Sequence, residues 1–288
     1  MQNGYGGEGT QPCRVATIRA VLRHLQASVP PLRNHTGYAP TAKDVLNAVC
    51  KPDPVNSRQV IIAVVYTDRI AEGRYGAAVD NDYDVDVGGD PTPVELAIVD
   101  RRRGTVVASG DSHIESMSPN PEIDDSSVRL DTARYDLAHG VRAFGVDASD
   151  GYSPNCGDGI IGPSRSLYVR EGSRIRPVLR NLTLTHDWVM QQGSPDRCHQ
   201  DRPDLPDVVE HSSITIGVAE TLAHGWHDLW VTKVFWINDE EPGGHCRVKL
   251  HYDGRRYSTG AVDNSTSCDA VEEKVVKDAT RRFHIKAR

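Results

Sequence analysis

The most regular pattern of apolar and polar side chains lies between residues 225 and 260. Within 226–237, the odd positions hold core-type residues: Leu229, Val231, Phe235 and Ile237. The even positions hold amphipathic or polar residues: Trp226, Asp228, Trp230, Thr232 and Trp236. Because side chains two residues apart lie on one face of a strand, this run predicts a β-strand with two different faces. Residues 247–252 alternate in the same way, and the Asp253-Gly254 pair that follows is a strong hairpin signal.

Similar patterns recur along the chain and predict a mainly β protein. Residues 60–66 form an unbroken apolar run, which is typical of a central strand that is covered on both faces. Hairpins are expected at 94–108, 128–146 and 166–179, where short strand-like runs flank turn residues. We therefore expect an antiparallel β-sandwich or two stacked antiparallel sheets.

Apolar residues at helical spacing occur near both ends of the chain. Near the start they form two groups: Val15, Ile18, Val21, Leu22 and Leu25, then Ala42, Val45, Leu46 and Val49. These groups predict an N-terminal helical hairpin. Near the end, Asp269 and Glu272 have the spacing of a helix start, and an apolar stripe follows: Val271, Val275, Val276, Ala279 and Phe283. The expected organisation is a tail and helical hairpin in 1–57, a β-rich core in 58–267, and a C-terminal helix packed on the core in 268–288.

The cysteines are even in number and widely spaced, without a C-x-x-C motif: Cys13, Cys50, Cys156, Cys198, Cys246 and Cys268. This pattern favours three disulfides and an oxidising compartment over a zinc site. An antiparallel helical hairpin would bring Cys13 beside Cys50, and we expect the others to pair as sequence neighbours, Cys156 with Cys198 and Cys246 with Cys268. The alternative is a set of six reduced, buried thiols in a cytosolic protein.

Charge and hydropathy exclude several classes of partner. The formal net charge is -7, and the Lys and Arg residues are interspersed among acids, so the sequence gives no electrostatic footprint for nucleic acid. No run of about 18 apolar residues is present, so we expect no membrane insertion. The start of the chain is polar and glycine-rich and lacks an apolar signal core. We expect a periplasmic or extracellular protein whose signal peptide was removed, with Met1 added for expression.

Two segments of the chain carry a family resemblance. The chain reads GWHDLWV at 225–231 and LHYDGRRY at 250–257. Together they match a G-x-x-D-L-x-V … L-x-Y-D-G-x-x-Y hairpin, and in this they resemble uncharacterised exported and cell-envelope proteins of bacteria. The resemblance implies a location in the bacterial envelope and brings no catalytic residue with it.

An acidic stretch before residue 96 is a candidate metal site. Counted from Asp84, four acids occupy positions 1, 3, 7 and 12 of a calcium-binding loop: Asp84, Asp86, Asp90 and Glu95. Gly89 is at position 6, as such a loop requires, but Gly88 replaces the usual acid or amide at position 5. No cofactor is firmly indicated, and calcium is the candidate. The alternative is a strand whose alternate aspartates face solvent.

The row of tryptophans in 226–237 is a candidate binding site, together with the acid between them: Trp226, Asp228, Trp230 and Trp236. Exposed rings of this kind form an apolar platform with polar tips, which suits a sugar face or a protein partner. Asp228 favours exposure of this face, because an unpaired buried carboxylate is costly. The alternative is a central strand whose tryptophans belong to the core.

No catalytic constellation stands out. Asp111, Ser112 and His113 are nucleophile, base and acid types in adjacent positions, which cannot supply the geometry of a triad, and we expect them in a loop. Long loops are expected at 110–125, 148–164 and 193–207.

The sequence therefore favours a non-catalytic exported protein that binds a protein or polysaccharide of the cell envelope through its long loops and the tryptophan face. One alternative is a secreted hydrolase in which loop aspartates act with His186, His199 or His211. Another alternative is a structural surface or filament subunit, which would carry large apolar patches that neighbouring copies complete.

Overall fold

A computed structural model describes residues 11–28, 45–66, 92–115, 123–124, 126–149, 160–191, 208–238, 240 and 242–283. The protein is mainly β, as predicted. The strands are β1 (Gln11–Pro12), β2 (Val45–Pro52), β3 (Gln59–Tyr66), β4 (Thr92–Asp100), β5 (Thr105–Ile114), β6 (Val128–Ala138), β7 (Val141–Ala148), β8 (Ile160–Ile161), β9 (Ser164–Glu171), β10 (Arg174–Thr183), β11 (Thr185–Gln191), β12 (Val208–Ala223), β13 (Trp226–Ile237) and β14 (Gly244–Leu250). The helices are α1 (Val15–Ser28), α2 (Gly260–Asp263) and α3 (Thr266–Arg282).

The strands form two sheets. The first has nine strands in the order β1-β2-β3-β4-β5-β10-β9-β7-β6, and the second has five in the order β14-β13-β12-β11-β8. Strands β1 to β5 pair antiparallel in succession, and so do the neighbours of the second sheet. The three hairpins predicted from turn residues are confirmed as β4–β5, β6–β7 and β9–β10.

Strands β5 and β10 are parallel neighbours and join the two halves of the first sheet. Ser109 of β5 is opposite Arg174 of β10, and its N–H donates to the carbonyl of Ser173 at 3.0 Å. The backbones approach so closely that a Cβ atom at Gly110 would lie 2.2 Å from the carbonyl oxygen of Ile175. Position 110 therefore requires glycine.

The N-terminal helix is confirmed as α1, but the second helix of the predicted hairpin is wrong. Residues 45–52 form β2, which lies between β1 and β3. A short apolar run with β-branched residues fits the spacing of a helix as well as that of a strand. In the structure, the run pairs antiparallel with β3. The Cys13–Cys50 disulfide is confirmed, with a Cα–Cα distance of 5.1 Å. It ties Cys13, two residues before α1, to a strand and not to a second helix.

Strand β3 is covered on both faces, as its unbroken apolar run predicts. Its residues from Val60 to Val65 are all buried. One face packs in a core with residues of β4, β6, β7 and β9, and the other packs beneath α1 through Ala20 and Val21. The polar face of α1 is left outside, as expected for an amphipathic helix.

The predicted C-terminal helix is confirmed as α3, which packs on one face of the second sheet. The predicted start at Asp269 is wrong, because the helix begins at Thr266. Ser265 precedes it, and the Ser265 side chain accepts a hydrogen bond from the N–H of Cys268. The apolar stripe of α3 meets Phe235, Ile237 and Cys246 of β13 and β14. A Cβ atom at Gly244 would lie 2.6 Å from Cγ1 of Val271, so the helix sits directly on the strand backbone. The predicted Cys246–Cys268 disulfide is also confirmed.

The chain divides into two compact units. The first consists of Met1–Arg134, Val141–Gly151 and Leu167–Pro177. The second consists of Tyr135–Gly140, Tyr152–Ser166 and Val178–Arg288, and it contains the whole second sheet and the helices α2 and α3.

The predicted long loops have different outcomes. The expected loop at 110–125 is wrong at its start, because β5 continues to Ile114, whose side chain is buried. In 148–164, β7 ends at Ala148, and β8 and the start of β9 occupy the end of the range. Residues 150–159 and 193–207 lie outside the described residues, and with them Cys156 and Cys198. The third disulfide stays a prediction.

Candidate functional site

The second sheet presents a face that points away from α3. By the pairing register, its side chains come from alternate positions of β12, β13 and β14: His211, Thr215, Trp230, Thr232, Trp236, His245, Arg247 and Lys249. We call this set the basic–aromatic face. Thr215, His245 and Arg247 are exposed, and the other members are half-buried. The face lies at the edge of the sheet, because β14 is an outermost strand.

Trp230 is the centre of the basic–aromatic face. Lys249 is directly opposite it on β14, with Nζ 4.7 Å from the ring centroid, and the guanidinium carbon of Arg247 lies 4.2 Å from the same centroid. Cations in such positions are attracted to the ring by about 0.5–1 kcal/mol each at an exposed site. On the other side, Gly217 is opposite Trp230, and a Cβ atom there would meet nothing within 4 Å. The ring thus carries two cations and has open space beside it.

Trp236 lies beside a His–Asp pair. The ring of His211 stacks on Trp236 with a centroid distance of 5.5 Å and an interplanar angle of 19°. Nδ1 of His211 lies 2.7 Å from Oδ1 of Asp187, which is its partner on β11. The carboxylate fixes the orientation of the imidazole. His211 was a candidate from the sequence but Asp187 was not, because the pairing register that joins them cannot be read from residue types.

Trp226 and Asp228 lie at the end of the strand and are packed differently. The half-buried Trp226 stacks on Tyr252, with ring centroids 4.4 Å apart. Asp228 is buried, and it accepts a 2.5 Å hydrogen bond from Thr221 and contacts Nδ1 of His251 at 3.1 Å. Burial would raise the pKa of Asp228, but the Thr221 hydrogen bond and the nearby His251 outweigh it and lower that pKa. The inference from Asp228 to an exposed face is therefore wrong, since this carboxylate is buried and paired.

The candidate calcium ligands are only partly described. Asp84, Asp86 and Asp90 lie outside the described residues, whereas Glu95 lies in β4 opposite Asp111 of β5. Burial, together with the charge of Asp111, raises the pKa of Glu95 to about 8. Within the described ranges, no group of three or more His, Cys, Asp or Glu side chains could hold a metal ion. The calcium site stays a prediction.

The remaining sequence candidates lie apart from one another. His186 lines a groove on the α3 side of the second sheet, and His199 lies outside the described residues. Ser112 and His113 are in β5, so the prediction that they lie in a loop is wrong. Adjacent strand positions point to opposite faces, so these two side chains diverge. The Ser112 hydroxyl is bonded to the Tyr168 hydroxyl at 2.5 Å.

Comparison with protein-family models, with curated proteins and with solved structures gives no match for this chain. The resemblance of the hairpin at 225–257 to bacterial envelope proteins therefore stays a prediction. In the part of the chain that the structure describes, none of the helices has the length and apolar character needed to cross a membrane.

Proposed function

We propose that this chain is an exported, non-catalytic binding protein that recognises an acidic polysaccharide of the cell envelope through the basic–aromatic face. The observation that carries the proposal is the cluster of Arg247 and Lys249 over the ring of Trp230, on a partly exposed sheet face. Aromatic rings offer contact area for sugar rings, and cations at their rims offer partners for carboxylates or sulfates.

The charge of this face differs from that of the whole chain. The chain has a net charge of -7, but β14 presents His245, Arg247 and Lys249 on one side at every second position. Two acids of the second sheet contact histidines, Asp187 with His211 and Asp228 with His251. Arg247 and Lys249 on this edge strand are the cations that would attract an anionic chain at moderate ionic strength.

The shape of the face favours an extended ligand. Its members come from alternate positions on three adjacent strands, which repeat at about 6.6–6.8 Å along each strand and about 4.8 Å across. Strands β12 and β13 extend the row over Val208–Ala223 and Trp226–Ile237. A long, shallow strip with a charged edge suits a polymer better than a small compound, which requires a concave site.

The disulfides support the exported part of the proposal. Cys13–Cys50 and Cys246–Cys268 are formed in the structure, and disulfides persist in oxidising compartments. Every cysteine among the described residues is in a disulfide, so a set of reduced cytosolic thiols is the less favoured alternative.

One observation favours a second candidate, the hydrolase. The 2.7 Å contact between His211 and Asp187 resembles the orienting half of a catalytic triad. However, a catalytic histidine also needs a nucleophile or a water site in a concave, water-poor environment. His211 instead lies on a partly exposed sheet face, stacked on Trp236. Binding without turnover therefore fits the geometry better.

The test is affinity electrophoresis of the full chain in gels that contain polygalacturonate, with dextran and poly-L-glutamate as neutral and non-sugar controls. Retardation by polygalacturonate alone is expected, and R247Q/K249Q and W230A should weaken it at least tenfold. The matched control is Lys277→Gln, an exposed lysine on α3. Equal retardation by poly-L-glutamate would show that the face binds polyanions in general and not a polysaccharide. If the variants have no effect, the basic–aromatic face is not the binding site.

The same samples separate the two candidate functions. The chain length of polygalacturonate after incubation with the protein is expected to stay unchanged. Shortening that His211→Asn abolishes would replace the binding proposal with the hydrolase. Retention of envelope proteins with no retention of any polysaccharide would overturn the polysaccharide as ligand and favour a protein partner.

A further inference from the structure

Two neighbouring turns of the first unit carry arginines. Arg58 ends the turn between β2 and β3, and three consecutive arginines fill most of the turn 101–104 between β4 and β5. The turns are neighbours because Gln59 of β3 is opposite Asp100 of β4, and the N–H of Arg101 donates to the carbonyl oxygen of Arg58 at 2.9 Å. Strand pairing thus brings together arginines that are far apart in the sequence.

Two further arginines reach the same place from other elements. Arg170 of β9 donates from Nη1 to Oε1 of Gln59, the first residue of β3, at 3.0 Å. Arg14 directly precedes α1 and lines a cavity of about 180 Å³ together with Arg101. All these arginines are exposed and belong to the first unit. We call this set the arginine end: Arg14, Arg58, Arg101, Arg102, Arg103 and Arg170.

The positive charge of the arginine end is only partly offset. Among the described residues, no salt bridge involves any of its members. The acids on the same turns are Asp53, Asp100 and Glu171. Asp53 and Asp100 accept backbone N–H groups of their own turns, and Glu171 pairs with Arg176 at 2.7 Å. The arginines outnumber these acids, in a chain whose net charge is -7.

The turn 101–104 is held in one conformation by Asp100. Oδ1 of Asp100 accepts from the N–H groups of Arg102 and Arg103 at 2.9 and 2.8 Å, and its carbonyl oxygen accepts from the N–H of Gly104 at 2.8 Å. Gly104 has a φ of 61°, which glycine adopts without strain. Because the backbone of the turn is ordered in this way, a ligand of the arginines need not order it, and binding costs less entropy.

Exposed apolar side chains lie beside the arginines. Val15 directly follows Arg14 and is 60% exposed, and Val55 in the turn between β2 and β3 is 71% exposed. The N–H of Val55 donates to Oδ1 of Asp53 at 2.8 Å, which fixes this turn as well. Single exposed valines are ordinary on a protein surface. Next to a group of cations, however, they form the combination that binds the surface of an anionic membrane.

The form of the arginine end favours one class of anion. The cavity beside Arg14 and Arg101 is smaller than the roughly 300–1,000 Å³ that is typical of small-molecule sites, so it suits a single phosphate group better than a complete small molecule. Neither of the two turns contains an aromatic residue, whereas surfaces for single-stranded nucleic acid use rings on which the bases stack. Several arginines on exposed turns suit an array of separate phosphates.

We propose that the arginine end docks on an anionic phospholipid surface. Its guanidinium groups donate to the head-group phosphates, a contact in which arginine makes two parallel hydrogen bonds, and Val15 and Val55 lie at the boundary of the acyl chains. The protein then lies on the membrane and does not cross it. The basic–aromatic face belongs to the second unit, so this inference does not depend on the proposed function.

The test is flotation of the full chain with vesicles of equimolar phosphatidylglycerol and phosphatidylcholine, with vesicles of phosphatidylcholine alone as the neutral control. Binding to the mixed vesicles alone is expected. R101Q/R102Q/R103Q should weaken it by about tenfold or more, because each cation near an anionic surface adds to the attraction. The matched control is K274Q/K277Q/R281Q, which removes the same charge from exposed positions of α3 and should leave binding nearly unchanged.

Two further measurements separate the apolar and the charged contributions. V15S/V55S should weaken binding to the mixed vesicles about two- to threefold. Leu222→Ser, at an exposed apolar residue of the second unit, should not weaken it. An increase of the NaCl concentration from about 0.05 M to about 0.5 M should release most of the bound protein, because salt screens exposed charges.

Several outcomes would overturn the proposal. They are equal binding to both kinds of vesicle, binding to neither, and an unchanged affinity in the folded R101Q/R102Q/R103Q protein. Double-stranded DNA that binds as tightly, with the same dependence on the three arginines, would also overturn it, because the surface would then bind polyanions in general. R101Q/R102Q/R103Q should keep its retardation by polygalacturonate, so failure of this proposal is distinguishable from failure of the proposed function.

Discussion

Cys268, in the first turn of α3, is bonded to Cys246 on the edge strand β14. The two Cα atoms are 5.2 Å apart, and the bond closes a loop of 22 residues that contains the hairpin turn and α2. Helix α3 is therefore anchored to the strand that carries Arg247 and Lys249. One covalent link thus holds α3 on one face of a strand whose other face carries the two cations.

Removal of this disulfide should destabilise the protein by about 3 kcal/mol, because the open loop gains conformational entropy in the unfolded state. The change is C246S/C268S, and the measurement is equilibrium urea unfolding without reductant. Helix α3 should remain folded, since its apolar stripe still packs on Phe235 and Ile237. A loss below about 0.5 kcal/mol would show that packing alone holds the helix.

Gly244→Ala should destabilise the contact between α3 and β14. The new Cβ atom would lie 2.6 Å from Cγ1 of Val271, so the helix must shift, at a cost of about 1–3 kcal/mol. Gly217→Ala on the same sheet is the matched control, because nothing lies within 4 Å of its Cβ position. Thermal unfolding of both variants is the measurement. Equal melting temperatures would contradict the close packing at Gly244.

Glu95→Gln should remove a pH dependence of stability. The pKa of Glu95 is raised from 4.5 to about 8 in the folded protein, so the folded state binds the proton more tightly than the unfolded state. The free energy of unfolding of the natural protein should then fall as the pH rises from 4.5 to 8, by up to about 5 kcal/mol. The variant should lack this fall and be the more stable protein at pH 8.5.

The control for this experiment is Glu115→Gln, an exposed glutamate just after β5. Its unfolding curves should follow those of the natural protein at each pH. Parallel pH profiles of Glu95→Gln and the natural protein would show that Glu95 is not protonated in the folded state at neutral pH.

Thr221→Val should cost about 1–3 kcal/mol at pH 7, because it removes the hydroxyl that donates to the buried Asp228. The pKa of Asp228 is lowered in the folded state, so its contribution to stability is present at neutral pH and is lost as the pH falls below the usual range of aspartate. The cost of Thr221→Val should therefore shrink in acid. Thr215→Val, an exposed site on the same strand, should be neutral by urea unfolding at both pH values.

The strands were predictable because their side chains point alternately to the two faces of the sheet, so the sequence shows which faces are apolar. The apolar run of β3 and the alternation of β13 both specify their burial directly. Strand β2 was misassigned because Val45 and Val49 are four residues apart, a spacing that fits a helix, while short strands with β-branched residues show the same composition. The Cys13–Cys50 pair was predicted from a helical hairpin that is wrong. The pair nevertheless forms, because β1 pairs with β2 and places Gln11 opposite Cys50.

The candidate sites were only half predictable. The shared face of Trp230 and Trp236 follows from parity, and the alternation of Arg247 and Lys249 was visible in the sequence. The cation contacts to Trp230 and the pair of Asp187 with His211 depend on which residues of neighbouring strands meet. Glu210, Lys233 and Glu272 interact electrostatically although they come from two strands and a helix, and no local pattern encodes that meeting.

The parallel pairing of β5 with β10 has a consequence for biosynthesis. The ribbon of β2 to β5 is complete before Arg174 has been added, so the rim of β5 faces water for several seconds at about 5–20 residues per second of translation. An unpaired strand edge of this kind is a template for pairing with strands of other chains. Because Gly110 has no side chain, the backbone at Ile175 can approach β5 closely and cover this edge once β10 has been made.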